Sequence, residues 1–335
     1  MLSLVLNSLA AQEHKNYAAL FDAWKTQHGK SYDSAAAETK AFRTFAFHED
    51  YIAEHNTRGE SYTLGHNEFS DLTSDEFFAT RLGYNATLAR PAPSGHHTYT
   101  AESLAAAPDS IDWTTKDAVT PVKNQGQCGS CWSFSATGAM EGAYAIASGK
   151  LVSLSEEDLV ECDQVDQGCG GGLMDNAFKF VEKNGVAAEA AYPYISGTGI
   201  RGLCKPAKEK AAVVTVTGFK DVPTQDEDAL KTAVAQQPVS VAIEADKSAF
   251  QLYKSGVLDK RGCGTKLDHG VLIVGYGTQQ GLFGKKDYWK VKNSWGPTWG
   301  DAGYVKIARG KNMCGIAMQP SYPTGAKAAT TVEDA

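Results

Sequence analysis

Residues 124–134 read "NQGQCGSCWSF", two cysteines three apart beside a tryptophan. The chain has seven cysteines, so six can pair and one is left over. They are Cys128, Cys131, Cys162, Cys169, Cys204, Cys263 and Cys314, all beyond Pro108. Their spacing is irregular and forms no Cys/His ligand sets, so no metal is expected. Three readings of Cys128 and Cys131 compete: a redox C-x-x-C pair, two structural half-cystines, or a nucleophile beside a half-cystine. The redox reading lacks the buried strand that leads into a thioredoxin-like C-x-x-C. The nucleophile reading selects Cys131, because it starts a helix. Unpaired N–H groups and the helix dipole there favour a thiolate.

A nucleophilic cysteine needs a base, and the histidine positions limit the choice. Of eight histidines, seven (His14, His28, His48, His55, His66, His96 and His97) precede Pro108, and only His269 follows it. His269 opens an apolar strand in "KLDHGVLIVGYG", residues 266–277. The next segment, "VKNSWGPTWG" at 291–300, holds Asn293 and Trp295. An amide oxygen can orient an imidazole, and an indole can shield that bond from water.

Composition bounds the rest. A chain of 335 residues with 42% hydrophobic and 21% charged content is that of a globular protein. A net charge of -7 without basic runs gives no footprint for nucleic acid. No apolar run reaches the roughly 18 residues of a membrane span. Leu2 to Ala11 is apolar and reads as a weak or truncated signal peptide over residues 1–11. Helical spacing marks "YAALFDAWKTQHG", ending at Gly29, and "SAAAETKAFRTFAFHEDYIAEHN", capped near Ser34. Residues 86–108 carry Pro, Gly and Ala and read as a linker. Beyond it come a helix from about Cys131 to near Gly149, a short one capped by Ser155 or Ser153, and another closed by Gly185. From Val213 onward the pattern is strand. The tail 324–335 is small and polar and reads as disordered, with no retrieval signal at its end.

Taken together, "QGQCGSCWSF", "LDHGVLIVGYG" and "KNSWGPTWG" resemble the papain family of cysteine peptidases over about residues 15–323, and "CGGGLMDNAF" is most similar to its cathepsin-L-like branch. The C-G-[SA]-C-[WY] stretch is that family's known signature. The resemblance implies an α+β, papain-like two-domain fold. A helical left domain (about 116–219) and a β-barrel-like right domain (about 220–323) would flank an active-site cleft. An inhibitory helical propeptide over 12–105 would precede a mature part at 106–335. "GHNEFSD", residues 65–71, matches the propeptide's G-x-N-x-F-x-D motif. Its longer helix motif matches only in part: Phe45, Ile52 and Asn56 fit, whereas Ala41 and His48 stand in the arginine and asparagine slots.

By the same resemblance, Cys131 is the nucleophile, paired as a thiolate with protonated His269. Asn293 orients the imidazole, and Gln125 donates to the oxyanion beside the Cys131 N–H. Trp295 covers the Asn293–His269 bond, and Asp268 is a tuning neighbour. The disulfides implied are Cys128–Cys169, Cys162–Cys204 and Cys263–Cys314, which leave Cys131 free and point to an oxidising compartment. The second subsite is lined by Gly171, Gly172, Leu173, Met174, Ala242, Leu267 and Gly270, with Gln319 near its base. Such walls favour hydrophobic or aromatic side chains. The expectation is a monomeric cysteine endopeptidase without cofactor, made as a zymogen in the secretory pathway for a lysosome, a vacuole or the outside of the cell. Its partners would be protein and peptide substrates and its own propeptide, with no nucleic acid and no membrane. A thiol-disulfide oxidoreductase and a silent binding relative are the alternatives. An exopeptidase is disfavoured because no second histidine follows Pro108. The sequon Asn85-Ala-Thr87 would leave with the propeptide. Buried propeptide histidines, His48 and His66 first, are candidate sensors of acidification.

Overall fold

The computed structural model describes residues 15–209, 211–260, 262–281 and 284–329. The signal peptide expected at 1–11 lies outside them. The N-terminal helices form where the sequence supplies caps. In α1 (Tyr17–His28), Asn16 accepts from Ala19 N at 3.1 Å, and Gly29 ends the helix at φ 59°. In α2 (Ala35–Thr57), Ser34 accepts from Ala37 N at 3.1 Å. The two cross on a small core of Phe21, Trp24, Ala41 and Phe45. Ala41, in the arginine slot, is simply part of that core. His48, in the asparagine slot, is buried with Nδ1 2.9 Å from Ser70 O. Asp71 of "GHNEFSD" ties this unit together through Lys30 Nζ at 3.0 Å and Tyr32 Oη at 2.9 Å. Strand β1 (Tyr62–Leu64) and α3 (Ser74–Arg81), the latter with a Thr73/Glu76 capping box, follow.

The expected linker is not one throughout. Strand β2 (Gly95–His96) and α4 (Ala101–Ala106) lie within it, ahead of β3 (Ile111–Asp112). His97 is buried, with Nδ1 2.9 Å from Tyr322 Oη and Nε2 2.8 Å from Thr232 Oγ1. Composition marks this stretch as irregular, but the backbone groups of Gly95 and His96 complete an open sheet edge. Pairing with an edge so distant in sequence has no local signal.

The helical half contains α5 (Cys131–Ser148), α6 (Glu156–Cys162) and α7 (Met174–Asn184), with β4 (Val186–Ala187) and β5 (Ala212–Thr215). Helix α5 is buried along most of its length and runs through the centre of the molecule. The β half contains β6 (Gly218–Asp221), β7 (Val239–Ile243), β8 (Tyr253–Leu258), β9 (His269–Gly281), β10 (Gly284–Lys292), β11 (Tyr304–Ala308) and β12 (Ser321–Thr324). Their order is β1-β8-β11-β10-β9-β7-β12-β6-β2, with β3 on β9. The N-terminal segment thus adds a strand at each end of this sheet. The chain changes halves between β5, which pairs with β4, and β6, which pairs with β12.

The tail also departs from expectation. Strand β13 (Lys327–Ala328) pairs antiparallel with β5, Lys327 opposite Thr215 and Ala328 opposite Val214. Residues 330–335, also expected to be disordered, lie outside the described part. The two halves are therefore strapped in both directions: β3 joins the β half from the helical side, and β13 returns to the helical half.

Candidate active site

Helix α5 begins at Cys131, and its N-cap Ser130 makes no side-chain cap. The Ser130 hydroxyl is instead 2.8 Å from Tyr194 Oη, so the helix start keeps its N–H groups free. Cys131 is fully buried and is the one free cysteine among the described residues. The other six form Cys128–Cys169, Cys162–Cys204 and Cys263–Cys314. Gly270 N donates to Cys131 Sγ at 3.3 Å. A Cβ at 270 would press on Met174 Sδ at 3.1 Å and on Trp132 Cα at 3.2 Å, so glycine suits this close approach.

His269 opens β9 on the facing half. Its Nε2 is 2.8 Å from Asn293 Oδ1, which also accepts from Ser294 N at 2.8 Å. An amide oxygen can only accept, so Nε2 carries the proton and the neutral ring keeps its lone pair on Nδ1. Nδ1 has no partner among the described residues. The Trp295 ring stacks on the imidazole at 4.7 Å between centroids. The two halves meet here through Gln125 N to Ser294 O at 2.8 Å and Gly296 N to Lys123 O at 3.0 Å.

Gln125 is buried, with Ser294 Oγ donating to its Oε1 at 2.6 Å. That bond turns Nε2 toward the cleft, where it donates to Cys128 O at 2.8 Å and Arg81 O at 3.0 Å. Trp295 Nε1 also donates to Arg81 O, at 3.4 Å. The N-terminal segment therefore holds a carbonyl oxygen on the donor expected for an oxyanion. It continues along the cleft. Gly83 N and Tyr84 N donate to Asp268 O at 3.1 and 2.9 Å, and Gly172 N donates to Gly83 O at 2.9 Å. Phe69 and Phe77 meet Trp295 edge-on at 5.8 and 5.0 Å. Asn85 N donates to Gly172 O at 3.1 Å, so the sequon lies against the cleft wall.

Of the residues expected to line the second subsite, Leu173, Met174, Ala242, Gly171, Gly172 and Gly270 are buried, and Leu267 and Gln319 half-buried. Tyr84 packs in the same core cluster as Leu173, Met174 and Ala242, with Leu267 beside it.

Electrostatics in this covered state differ from a thiolate–imidazolium pair. Burial pushes the Cys131 thiol up to about 12 and His269 down to about 4. Both are uncharged at neutral pH, and Cys131 takes its hydrogen bond from Gly270 rather than from the ring. Asp268 is likewise raised by burial, to about 7; its Oδ1 accepts from Ala245 N at 2.8 Å.

Sequence reasoning missed several residues. Ser294 follows Asn293 directly, but only the fold brings its hydroxyl to Gln125. Beneath the site, Lys123 Nζ binds Glu156 Oε1 at 2.7 Å and Glu141 Oε1 at 3.1 Å. Lys292 of β10 donates to Thr120 Oγ1 at 2.9 Å, and Thr120 to Glu141 Oε2 at 2.7 Å. This buried charge network joins the halves. Its one sequence signal is Glu141, a carboxylate inside the apolar "ATGAMEGAYA". Arg90, from the expected linker, reaches Asp175 and Asp221. No group of three or more metal-ligating side chains is found among the described residues. Nor is any helix there long and apolar enough to cross a membrane.

With this geometry in view, residues 107–324 match the family described as "Papain family cysteine protease". Residues 21–77 match "Cathepsin propeptide inhibitor domain (I29)". Cysteine proteinase RD21A of Arabidopsis thaliana is 46% identical over 317 residues, 91% of this chain and 66% of that protein. The senescence-specific cysteine protease SAG39 of Oryza sativa subsp. japonica is 43% identical over 333 residues, 97% of this chain and 95% of that one. Among solved structures, a recombinant stem bromelain precursor superposes with a TM-score of 0.83 at 38% identity, covering 92% of this chain and 98% of that one. The proform of the ragweed pollen allergen Amb a 11 gives 0.78 at 41% identity, covering 92% and 94%.

Proposed function

The chain belongs to the papain family of cysteine proteases, and on that premise we propose that it is a cysteine endopeptidase held silent by its own N-terminal propeptide. The observation that supports this best is a free, buried Cys131 at a helix start, its Sγ 3.3 Å from Gly270 N, with the preceding residue His269 fixed through Nε2 by Asn293 at 2.8 Å. Nδ1 then takes the thiol proton, and Sγ attacks the substrate carbonyl carbon. The oxyanion is held by the Cys131 N–H and Gln125 Nε2, donors each worth roughly 3–4 kcal/mol of barrier. His269 returns the proton to the leaving amine, which departs and leaves a thioester on Cys131. A water gives its proton to Nδ1, attacks the thioester, and the acid product leaves with the thiol restored.

In the zymogen, Arg81 O occupies Gln125 and Gly83 lies across Cys131, so neither substrate nor water reaches the site. Maturation near residues 105–107 requires the last turn of α4 (Ala101–Ala106) to unwind, and that turn is solvent-exposed apart from Leu104. The three disulfides fit a secretory route. A KDEL-tailed cysteine endopeptidase of Arabidopsis thaliana, 44% identical over 323 residues, supports the same route. A vacuole or lysosome is the destination we favour. The test of the reading is a blocked-end peptide set. The processed enzyme cuts such peptides internally and prefers a hydrophobic over a basic second-subsite residue by at least about tenfold, or roughly 1.4 kcal/mol. Refusal of blocked peptides overturns the endopeptidase reading; a preference for arginine overturns the subsite.

Acid is the expected trigger of maturation, and the buried propeptide histidines carry it. Burial lowers His48, whose ring also faces Asp71. Burial also lowers His66, despite Glu49 at 3.0 Å and with His48 and His28 nearby. His97 is lowered by burial and by Lys220, against the pull of Asp226. Folded pKa values below the unfolded value mean that the folded propeptide binds fewer protons. The stabilisation is therefore complete above about pH 6.5 and is lost as pH falls through the lowered values. Glutamine at all three positions is expected to move the midpoint of processing against pH down by roughly one unit. An unmoved midpoint rejects these histidines as the trigger.

A further inference from the structure

The propeptide places one of its own side chains in the second subsite. Tyr84 is 8% exposed, and its backbone is held by Asp268 O at 2.9 Å and by a bridge to Gly172. Its ring shares a packed cluster with Leu173, Met174 and Ala242, and Leu267 packs against that cluster. The hydroxyl donates to Gln319 Oε1 at 2.9 Å. Among the residues assigned to this subsite, Gln319 is the one with a polar side chain, and it is the one the phenol reaches.

We propose that Gln319 makes tyrosine, rather than phenylalanine, the preferred second-subsite residue of the mature enzyme. This rests on the endopeptidase reading above and deepens it. With the propeptide gone, Gln319 Oε1 is hydrated. A phenylalanine ring displaces that water and leaves the amide oxygen facing carbon. A tyrosine replaces the lost bond with the one the zymogen already contains. A single neutral hydrogen bond of this kind corresponds to about fivefold in kcat/KM. Aliphatic side chains fill the apolar walls but stop short of the amide. The competing occupant is a basic side chain. Asp175, which binds Arg90 in the zymogen and accepts from Ser321 Oγ at 2.6 Å, acts on the Tyr84 hydroxyl and is the carboxylate that could draw one in. Reaching it means carrying a charge past Leu173, Met174 and Leu267, which is costly.

The experiment uses the processed enzyme and four blocked dipeptide substrates with one leaving group, differing only in the second residue: tyrosine, phenylalanine, O-methyltyrosine and arginine. The expected kcat/KM for tyrosine is about fivefold above phenylalanine, with O-methyltyrosine at or below phenylalanine because it cannot donate. In Gln319→Met, which keeps the length and removes the amide, the tyrosine-to-phenylalanine ratio falls to one or below. A wild-type ratio of one or less, or a ratio unchanged in Gln319→Met, overturns the proposal while cleavage of the phenylalanine substrate leaves the endopeptidase reading standing. Arginine above tyrosine overturns it in favour of the acidic alternative. Cleavage of none of the four overturns both readings. Should Gln319→Met fail to fold, the O-methyltyrosine comparison in the wild-type enzyme decides alone.

Discussion

Alanine in place of Cys131 is expected to lower kcat/KM on a blocked peptide by on the order of 10⁵-fold. The loss is that large because Cys131 is the only free thiol among the described residues, and its Sγ is the group held against Gly270 N beside His269. Only the background from the oxyanion donors and from binding would survive. The same variant should stay at precursor length in acid if the chain matures by its own activity. The fold should hold, since a buried cysteine and alanine differ by one sulfur atom, a change of about 1 kcal/mol. Retention of more than about one per cent of activity in a folded Cys131→Ala chain would remove Cys131 from the nucleophile's role.

The second large effect is at Gly83, in the N-terminal segment that crosses the site after α3. A Cβ there would lie 1.9 Å from Gly129 O and 2.4 Å from Gly129 C. These are backbone atoms at the start of the Cys131 helix, with no flexible side chain to swing aside. Gly83→Ala must therefore lift the segment. That breaks the bonds from Gly83 N and Tyr84 N to Asp268 O and from Gly172 N to Gly83 O. Overpacking and lost hydrogen bonds together amount to about 3 kcal/mol, or roughly 100-fold in the population of open zymogen. Unprocessed Gly83→Ala protein at neutral pH should react with a thiol reagent roughly 100-fold faster than the unprocessed wild type. After processing, the two enzymes are the same molecule and should have the same kcat/KM. A zymogen as unreactive as the wild type would show that Gly83 does not seal the site.

The candidate site was legible where short motifs carry particular residue types. Cys131, Gln125, His269, Asn293 and Trp295 all lie in segments whose chemistry can be read in a line of sequence, and a single histidine beyond Pro108 removed the choice of base. Helices α1, α2, α5 and α7 were legible because their spacing and their ends, Gly29, Ser34, Gly149 and Gly185, are local signals. What sequence did not disclose depends on partners far away in the chain. His97 reads as a polar residue in a Pro- and Gly-containing stretch until Tyr322 and Thr232 close around it. Lys327 and Ala328 read as tail until β5 offers them an edge. Ser294 orients Gln125 across 169 residues, and Tyr84 meets Gln319 across 235. The thiolate–imidazolium expectation belongs to an open cleft. In the covered one, burial favours the uncharged thiol and imidazole, so the state of the pair follows from the propeptide's position rather than from the two residues alone.

We propose that one thiol does the chemistry and that the propeptide hides it. Alkylation with mass mapping, before and after acid processing, tests this most directly. No cysteine of the unprocessed chain is expected to take label at neutral pH. In the processed enzyme Cys131 alone is expected to take it, with activity lost in step with labelling. Label on Cys128 as well, or full activity in enzyme already labelled at Cys131, would contradict it.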